Sequence, residues 1–189
     1  EWPIRAFSRV EVYRGNAPSQ LGGAAMGGVI NMVRSDNYNG TSSSGSVNDH
    51  GRFTLDGQTT VKPTIGNIQH RFTAYMNAVV NRGRFPYYAD NGTPYNRIDD
   101  QRLVRERNRS STFHALFDWE TPLEAGDLRV IDAWFNKGAE LPGHTNNPAA
   151  NARLSTKRNV LGIRFDPNLS GHNSHVVGWW LVRNEGFSD

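Results

Sequence analysis

Apolar and polar residues alternate with a period of two over most of the chain after residue 40. In the segment 53–61 the odd positions begin with Phe53 and Leu55, whereas the even positions include Asp56. The same alternation recurs in three further segments, 71–81, 112–119 and 158–165. One apolar and one polar face is what a β-strand with one buried side requires. The pattern predicts an all-β chain with roughly seven strands after residue 40, and helix signals are nearly absent.

Two segments are less regular but still predict strands. The segment 128–137 carries Asp132 among apolar neighbours, and 176–182 is apolar on both faces. The segment 67–82 predicts a strand longer than the five or six residues usual in soluble proteins. A tilted membrane strand needs about ten residues inside the bilayer. Strand length therefore favours a transmembrane β-barrel over a soluble β-sandwich, which remains the alternative because its inner faces also alternate.

The predicted connections differ in length in a regular order. Short turns are expected at 63–67, 121–127 and 166–173, and longer loops at 83–108 and 139–156. If the strand 41–48 points outward, both long loops lie on one side, where 49–51 is the only short connection. Outer-membrane barrels have short turns on one side and longer loops on the other. A soluble sandwich gives no reason for this arrangement.

Composition narrows the class of protein further. No run of about 18 apolar residues occurs, so no transmembrane helix is expected, although a barrel remains compatible with a hydrophobic fraction of 37%. The chain has no cysteine, which excludes disulfides and cysteine-bound zinc. It begins at Glu1 without an initiator methionine or an apolar leader, so we expect a removed signal or a longer parent protein.

Charge gives no evidence for nucleic-acid binding. The net charge is +3. The densest basic cluster contains four arginines, Arg102, Arg105, Arg107 and Arg109. Acidic residues lie among or beside them, so the pattern favours a solvated loop.

A glycine-rich segment follows the first predicted strand. Its glycines are Gly22, Gly23, Gly27 and Gly28. Their spacing fits neither the dinucleotide fingerprint nor a P-loop. The β-branched run 29–33 then predicts a second strand rather than a helix. The glycines are therefore expected to allow a tight turn or a close backbone approach, not to bind a nucleotide.

Other candidate sites are weaker. The aromatic side chains of Tyr87, Tyr88 and Tyr95 could stack on a ligand or pack within their loop. Asp90, Asn91, Asp99 and Asp100 offer oxygen ligands for calcium, but their spacing is not that of an EF-hand. His172 and His175 have no evident third partner for zinc, and no nucleophile elbow is present. We therefore expect no enzyme, no metal and no cofactor. Four tryptophans could form the aromatic girdles of a barrel or pack in the core of a soluble protein: Trp119, Trp134, Trp179 and Trp180.

The N-terminal segments resemble a known family. Residues 10–15 read Val-Glu-Val-Tyr-Arg-Gly, and residues 22–31 read Gly-Gly-Ala-Ala-Met-Gly-Gly-Val-Ile-Asn. In order and spacing they resemble the end of the plug domain of TonB-dependent outer-membrane receptors. Asn16 departs from the family, which more often has proline directly after the Arg-Gly pair. Residues 88–96 and 138–143 also resemble an early extracellular loop and a strand exit of that family.

The resemblance implies a specific architecture. Residues 1–35 would be the C-terminal part of the plug domain. Residues 36–189 would be the N-terminal strands of an antiparallel transmembrane barrel of about 22 strands. Plug residues that contact the barrel would be Glu11 and Arg14 with the four glycines, Gly22, Gly23, Gly27 and Gly28. The candidate ligand-binding loop would contain Tyr87, Tyr88, Asp90, Asn91 and Tyr95.

The resemblance also implies a function. The protein would reside in the outer membrane of a Gram-negative bacterium, in contact with its lipid. It would take up a scarce small molecule or metal chelate, such as a ferric siderophore, cobalamin or a carbohydrate. The inner-membrane TonB complex would supply energy through an N-terminal segment outside this chain. The alternative is a soluble or surface β-sandwich that binds without transporting.

Overall fold

The computed structural model describes residues 7–15, 27–33, 39–93, 95–144, 147–148, 151–169 and 174–189. The chain divides into two compact units, Glu1–Gly40 and Thr41–Asp189. The described residues contain fifteen β-strands and no helix, which confirms the all-β prediction. The strands are β1 (Arg9–Tyr13), β2 (Val29–Val33), β3 (Gly40–Val47), β4 (Arg52–Val61), β5 (Thr64–Ile65), β6 (Ile68–Gln69), β7 (Arg71–Asn81), β8 (Pro86–Ala89), β9 (Gln101–Val104), β10 (Ser110–Leu123), β11 (Gly126–Glu140), β12 (Gly143–His144), β13 (Asn147–Pro148), β14 (Arg153–Pro167) and β15 (Val176–Ser188).

The first unit contains an antiparallel pair, β1 and β2. Val12 lies opposite Ile30, and Glu11 lies opposite Asn31. The backbone N–H of Ser8 extends the ladder by donating to the carbonyl of Val33 at 2.8 Å. The strands predicted on either side of the glycine-rich segment are therefore confirmed.

The second unit is built on one seven-stranded antiparallel sheet. Its strand order is β3-β4-β7-β10-β11-β14-β15, so each long strand pairs with the next long strand along the chain. This meander confirms the predicted number of long strands. The six short strands form three two-stranded hairpins within the connections, and the period-two pattern did not predict them.

Short and long connections alternate as predicted. The turn between β10 and β11 is tight, because Leu123 pairs with Gly126. The long connections carry the β8–β9 and β12–β13 hairpins. The predicted continuous strand over 67–82 was wrong, because His70 separates β6 from β7 and its N–H donates to the carbonyl of Pro63 at 2.9 Å. Strand β15 continues beyond the predicted segment, to Ser188.

The two faces of the sheet differ in burial. The more apolar face is the exposed one, which is the reverse of the arrangement around a globular core. We call one the shielded face; it carries the buried side chains Thr60, Thr73, Tyr75, His114, Leu116, Asp118 and Phe135. We call the other the exposed face; it carries the exposed apolar side chains Phe53, Leu55, Met76, Phe113, Phe117, Trp134, Leu161, Ile163, Trp180 and Val182. The register places these sets on opposite sides, since Thr73 pairs with Asp118 whereas Phe117 pairs with Ala74.

Candidate functional site

Glu11 is the centre of a polar cluster between β1 and β2. Its carboxylate accepts hydrogen bonds from Arg9 Nε at 2.7 Å, from Asn31 Nδ2 at 2.9 Å and from the Tyr13 hydroxyl at 3.0 Å. The Arg9 hydrogen bond first, then those of Asn31 and Tyr13, hold the pKa of Glu11 below its ordinary value. The same carboxylate raises the pKa of the Tyr13 hydroxyl. Glu11 therefore ties β1 to β2 within its own unit.

Gly28 explains why glycine is needed where the glycine-rich segment meets β2. Its φ is +121°, and a Cβ placed there would clash with the carbonyl oxygen of Tyr13. A Cβ at Gly27 would meet no atom within 4 Å. The predicted close approach thus occurs at Gly28 against the carbonyl of Tyr13. Arg14 follows β1 and is exposed, and Gly22 and Gly23 lie outside the described residues.

The predicted ligand loop between β7 and β10 carries the β8–β9 hairpin. Tyr87 pairs with Leu103 across this hairpin. The guanidinium of Arg105 lies 5.7 Å from the centre of the Tyr87 ring. Its Nη2 also donates to the carbonyl of Gly143 at 2.7 Å, which joins this loop to the next long connection.

Asp90 and Asn91 have a structural role at the tip of the hairpin. The carboxylate of Asp90 accepts from the N–H of Gly92 at 3.2 Å, and its carbonyl accepts from the N–H of Thr93 at 2.8 Å. Asn91 adopts a φ of 50°, which asparagine tolerates better than most residues. Both residues therefore shape a turn.

The tyrosines of this loop are not brought together. Tyr87 lies against Arg105, whereas Tyr88 is 75% exposed and Tyr95 is fully exposed. Asp99 accepts a hydrogen bond from the Thr93 hydroxyl at 2.7 Å. Within the described ranges, no group of three or more His, Asp or Glu side chains is placed to hold a metal ion.

Sequence reasoning missed a row of charged residues at the loop end of the sheet. Glu140 pairs with Arg153, and its N–H donates to the carbonyl of Arg109 at 2.8 Å. The β7–β10 register, continued by one residue, places Arg82 opposite Arg109. We call Arg82, Arg109 and Arg153 the arginine row. In the sequence Arg109 stands out only as the last of three arginines at intervals of two, after Arg105 and Arg107. The other members of the row, Arg82 and Arg153, come from distant segments.

The arginine row lines two adjoining cavities. One has a volume of about 660 Å³ and the other of about 1080 Å³. The larger is lined by seven arginines, Arg82, Arg84, Arg102, Arg105, Arg107, Arg109 and Arg153. Among the described residues that line it, two are acidic, Glu106 and Glu140. This end of the sheet therefore carries a concentrated positive charge that the net charge of the chain does not reveal.

The carboxylate of Asp56 is a hydrogen-bonding centre on the shielded face. The carboxylate of Asp56 accepts from the Tyr75 hydroxyl at 3.1 Å, from Asn77 Nδ2 at 2.8 Å and from the Ser44 hydroxyl at 3.2 Å. These bonds cross-link β3, β4 and β7. Hydrogen bonding is what makes burial of such a carboxylate tolerable.

Aromatic rings cluster at the opposite end of the exposed face, beside the short turns. Trp119 stacks on Phe72 with centroids 6.2 Å apart and rings only 5° from parallel. His70 stacks on Trp119 at 6.3 Å. Trp119 Nε1 donates to His70 Nδ1 at 3.4 Å. The apolar ring surfaces of Phe72 and Trp119 thus lie beside the polar ring nitrogens of His70 and Trp119, at the end of the sheet that carries the short turns.

Known proteins offer no direct guide to function. Among the described residues, no helix is both long enough and apolar enough to cross a membrane. Comparison of the chain with protein-family models, with curated proteins and with solved structures finds no match. Function must therefore be inferred from the two faces of the sheet and from the resemblance of the glycine-rich segment.

Proposed function

We propose that this chain is part of a TonB-dependent outer-membrane receptor that takes up a scarce substrate. In this proposal the seven-stranded sheet is a section of the transmembrane β-barrel, and the first unit is the end of the plug. The observation that carries the proposal is the inverted burial of the sheet. On β4, β7, β10 and β11 the face with the buried polar side chains is shielded and the apolar face is exposed, whereas β15 is exposed on both faces.

The exposed face is too apolar to be stable in water. Met76 and Trp134 are each 58% exposed, and Trp180 is 68% exposed. Burying one large apolar side chain contributes about 1.5–3 kcal/mol, and many such side chains share this face. A soluble sandwich would need a second sheet to cover them. The other described strands of this unit are only two to four residues long and cannot form that sheet, and we propose lipid as the partner.

The dimensions of the apolar surface suit a bilayer. On β7 it extends from Phe72 to Val80 on the exposed face. Nine residues at about 3.4 Å each, tilted by about 35–45°, span roughly 22–25 Å of membrane thickness. The apolar band of an outer-membrane barrel is about 25 Å tall. The cluster of His70, Phe72 and Trp119 corresponds to an aromatic girdle on the side of the short turns.

Asp132, a carboxylate among the apolar side chains of the exposed face, has polar partners. Asp132 accepts from Trp134 Nε1 at 2.7 Å and from Asn159 Nδ2 at 2.6 Å. An acidic group at membrane depth is costly unless it is paired or reaches the interface. These hydrogen bonds are compatible with a lipid-facing position for this part of β11.

The outer edge of β15 supports closure by further strands. β15 has thirteen residues and pairs with β14 on one side; no described strand pairs with its other side. A long unpaired edge in a bilayer leaves backbone groups without partners, which closed barrels avoid. The proposal therefore predicts that β15 pairs with another strand of the receptor.

Transport follows from the resemblance rather than from any covalent chemistry. The plug would block the lumen, with Glu11 and Arg14 among its contacts with the barrel, and the TonB complex would move it. The cargo would be a ferric siderophore, cobalamin or a carbohydrate. Tyr88 and Tyr95, exposed in the long loop, are available to meet it.

Cysteine labelling tests the membrane topology directly. Because the chain has no cysteine, single-cysteine variants in a Gram-negative host are unambiguous once any cysteine elsewhere in the full-length protein has been replaced. Tyr95→Cys should react with an impermeant maleimide on intact cells, and Ala125→Cys only after permeabilisation. Met76→Cys should be protected from aqueous maleimide in the membrane, whereas the neighbouring Asn77→Cys, on the shielded face, serves as its matched control.

Two results would contradict the proposal. The first is recovery of the full-length protein in the soluble fraction. The second is equal labelling of Tyr95→Cys and Ala125→Cys on intact cells. Either would favour the binding-module alternative, in which both ends of the sheet are in water.

A further inference from the structure

The exposed face of the sheet differs from one pair of strands to the next. On β7 and β10, its positions within 72–80 and 113–119 carry only apolar side chains. On β11 and β14, polar and charged side chains alternate with apolar ones along the same face. We call the exposed-face side chains of β11 and β14, which are the even positions of 128–140 and the odd positions of 153–165, the mixed strip.

Asp132 lies inside the apolar band of this face rather than at its end. Its register partners are Phe117 on β10 and Leu161 on β14, both apolar. One carboxylate oxygen accepts from Trp134 Nε1 and the other from Asn159 Nδ2. Each oxygen can accept a further hydrogen bond. Ionisable groups at membrane depth normally face protein rather than lipid, so this position favours a protein cover over the mixed strip.

Charges on the mixed strip are balanced. It carries two acidic side chains, Asp132 and Glu140, and two basic ones, Arg153 and Lys157. Glu140 and Arg153 lie directly opposite each other in the register. In the part of the chain that the structure describes, none of these four side chains forms an ion pair. A surface with equal numbers of both signs is complementary to a second copy of itself.

The register makes such self-pairing geometrically simple. Two copies in one membrane have the same orientation, so a two-fold axis that relates them lies along the membrane normal and joins side chains of similar height. With this axis alongside β11 and β14, Glu140 of each copy lies near Arg153 of the other, because both occupy one register row. The next register pair on this face, Gly138 and Ser155, is small, and small side chains let two membrane-embedded surfaces approach closely.

We propose that the mixed strip is the interface through which two copies of this chain pair in the outer membrane. The inference rests on the proposed function, because only a membrane-embedded sheet would meet a second copy in this orientation. A second copy covers Asp132 with protein and supplies a charge of opposite sign to Glu140 and to Arg153. The purely apolar part of the face, on β7 and β10, remains in contact with lipid.

Photo-cross-linking in outer membranes tests the interface. A benzophenone amino acid is introduced into the full-length protein at position 161, in the mixed strip, or at position 76, on β7 of the same face. Illumination should join two copies through position 161, with both linked peptides derived from this protein by mass spectrometry. Position 76 should give no dimer above background, because Met76 lies on the part of the face that contacts lipid.

Charge exchange tests the arrangement across the axis. Glu140→Arg places like charges opposite each other and should lower the cross-linking yield from position 161 at least about fivefold. The double variant Glu140→Arg, Arg153→Glu should restore the yield, because the signs are exchanged together. Heat-dependent migration of each variant checks that the barrel has folded.

Asp132 has its own test. Asp132→Leu replaces the carboxylate by a side chain that is stable against lipid, so the yield should fall at least about threefold. Asp127→Leu makes the same change at the short-turn end of the same strand and should leave the yield unchanged.

Three results would overturn the inference while leaving the proposed function intact. They are equal dimer yields from positions 161 and 76, cross-linking of position 161 only to lipid or to a different protein, and failure of the folded double variant to exceed Glu140→Arg. Failure of the proposed function is distinguishable, because the protein would then not be recovered from the outer membrane.

Discussion

Asp118 and Arg129 form a two-pronged ion pair on the shielded face. Arg129 donates from Nε to Oδ1 at 3.1 Å and from Nη2 to Oδ2 at 2.8 Å. Asp118 is only 1% exposed. Glu120 extends the pair, with Arg129 Nε at 3.3 Å and Arg71 Nη1 at 3.6 Å from its carboxylate. The network joins β7, β10 and β11 across their shielded side chains.

Asp118→Asn should destabilise the protein, because it leaves the Arg129 guanidinium without its buried carboxylate. Breaking a buried pair in this way costs about 3–5 kcal/mol, less here because Arg129 is about a third exposed. We expect a loss of about 2–4 kcal/mol in urea unfolding of the full-length protein. The control Asp166→Asn removes the exposed Arg164–Asp166 pair and should cost under about 1 kcal/mol. Equal effects of the two variants would show that the network is not stabilising.

Gly28→Ala should loosen the β1–β2 pair. The added Cβ would clash with the carbonyl oxygen of Tyr13, at a φ that alanine rarely adopts. Gly15 also has a positive φ, of +82°, but a Cβ there meets nothing within 4 Å. Amide hydrogen exchange in β1 should therefore accelerate more in Gly28→Ala than in Gly15→Ala. The same acceleration in both variants would show that the strain of a positive φ causes the effect, and that the clash with Tyr13 contributes nothing.

Stability of the β1–β2 pair should depend on pH at both extremes. The pKa of Glu11 is lowered in the folded state, chiefly by Arg9, so its contribution is complete above its ordinary value of 4.5 and is lost as pH falls through the lower folded value. The pKa of Tyr13 is raised by Glu11, so its contribution is complete below 10.0 and is lost at higher pH. Amide exchange in β1, corrected for intrinsic rates, should be slowest between these limits. Glu11→Gln should abolish the acid limb, and an unchanged acid limb would contradict this role.

Gly83→Ala should open the base of the loop between β7 and β10. A Cβ there would clash with the carbonyl oxygen of Asn108, which closes the other end of the loop. Gly66→Ala is a matched control, because Gly66 has nearly the same φ, +64° against +65°, but no atom within 4 Å of its Cβ. With this loop on the outer surface of the cell, as proposed, we expect external protease to cleave it faster on cells carrying Gly83→Ala. Cleavage at the control rate would show that the loop base tolerates a methyl group.

The position of the candidate ligand-binding loop was predictable from the sequence, but the roles of its side chains were not. Its position between two long strands followed from the alternation on either side. That Asp90 serves as a turn former, and that Tyr87 lies against Arg105 while Tyr95 is exposed, depends on how the β8–β9 hairpin folds. The break at His70 was equally unpredictable, because its N–H is satisfied by Pro63, in the preceding turn.

The sequence by itself determined the all-β class, the seven long strands and the two faces of each, because a period of two forces successive side chains to opposite sides. It also determined which connections are short and which are long. Only the tertiary structure decided which face is shielded, since alternation does not reveal what covers each side. It alone brought Arg82, Arg109 and Arg153 into one row, because strand register joins residues that are tens of positions apart in the chain.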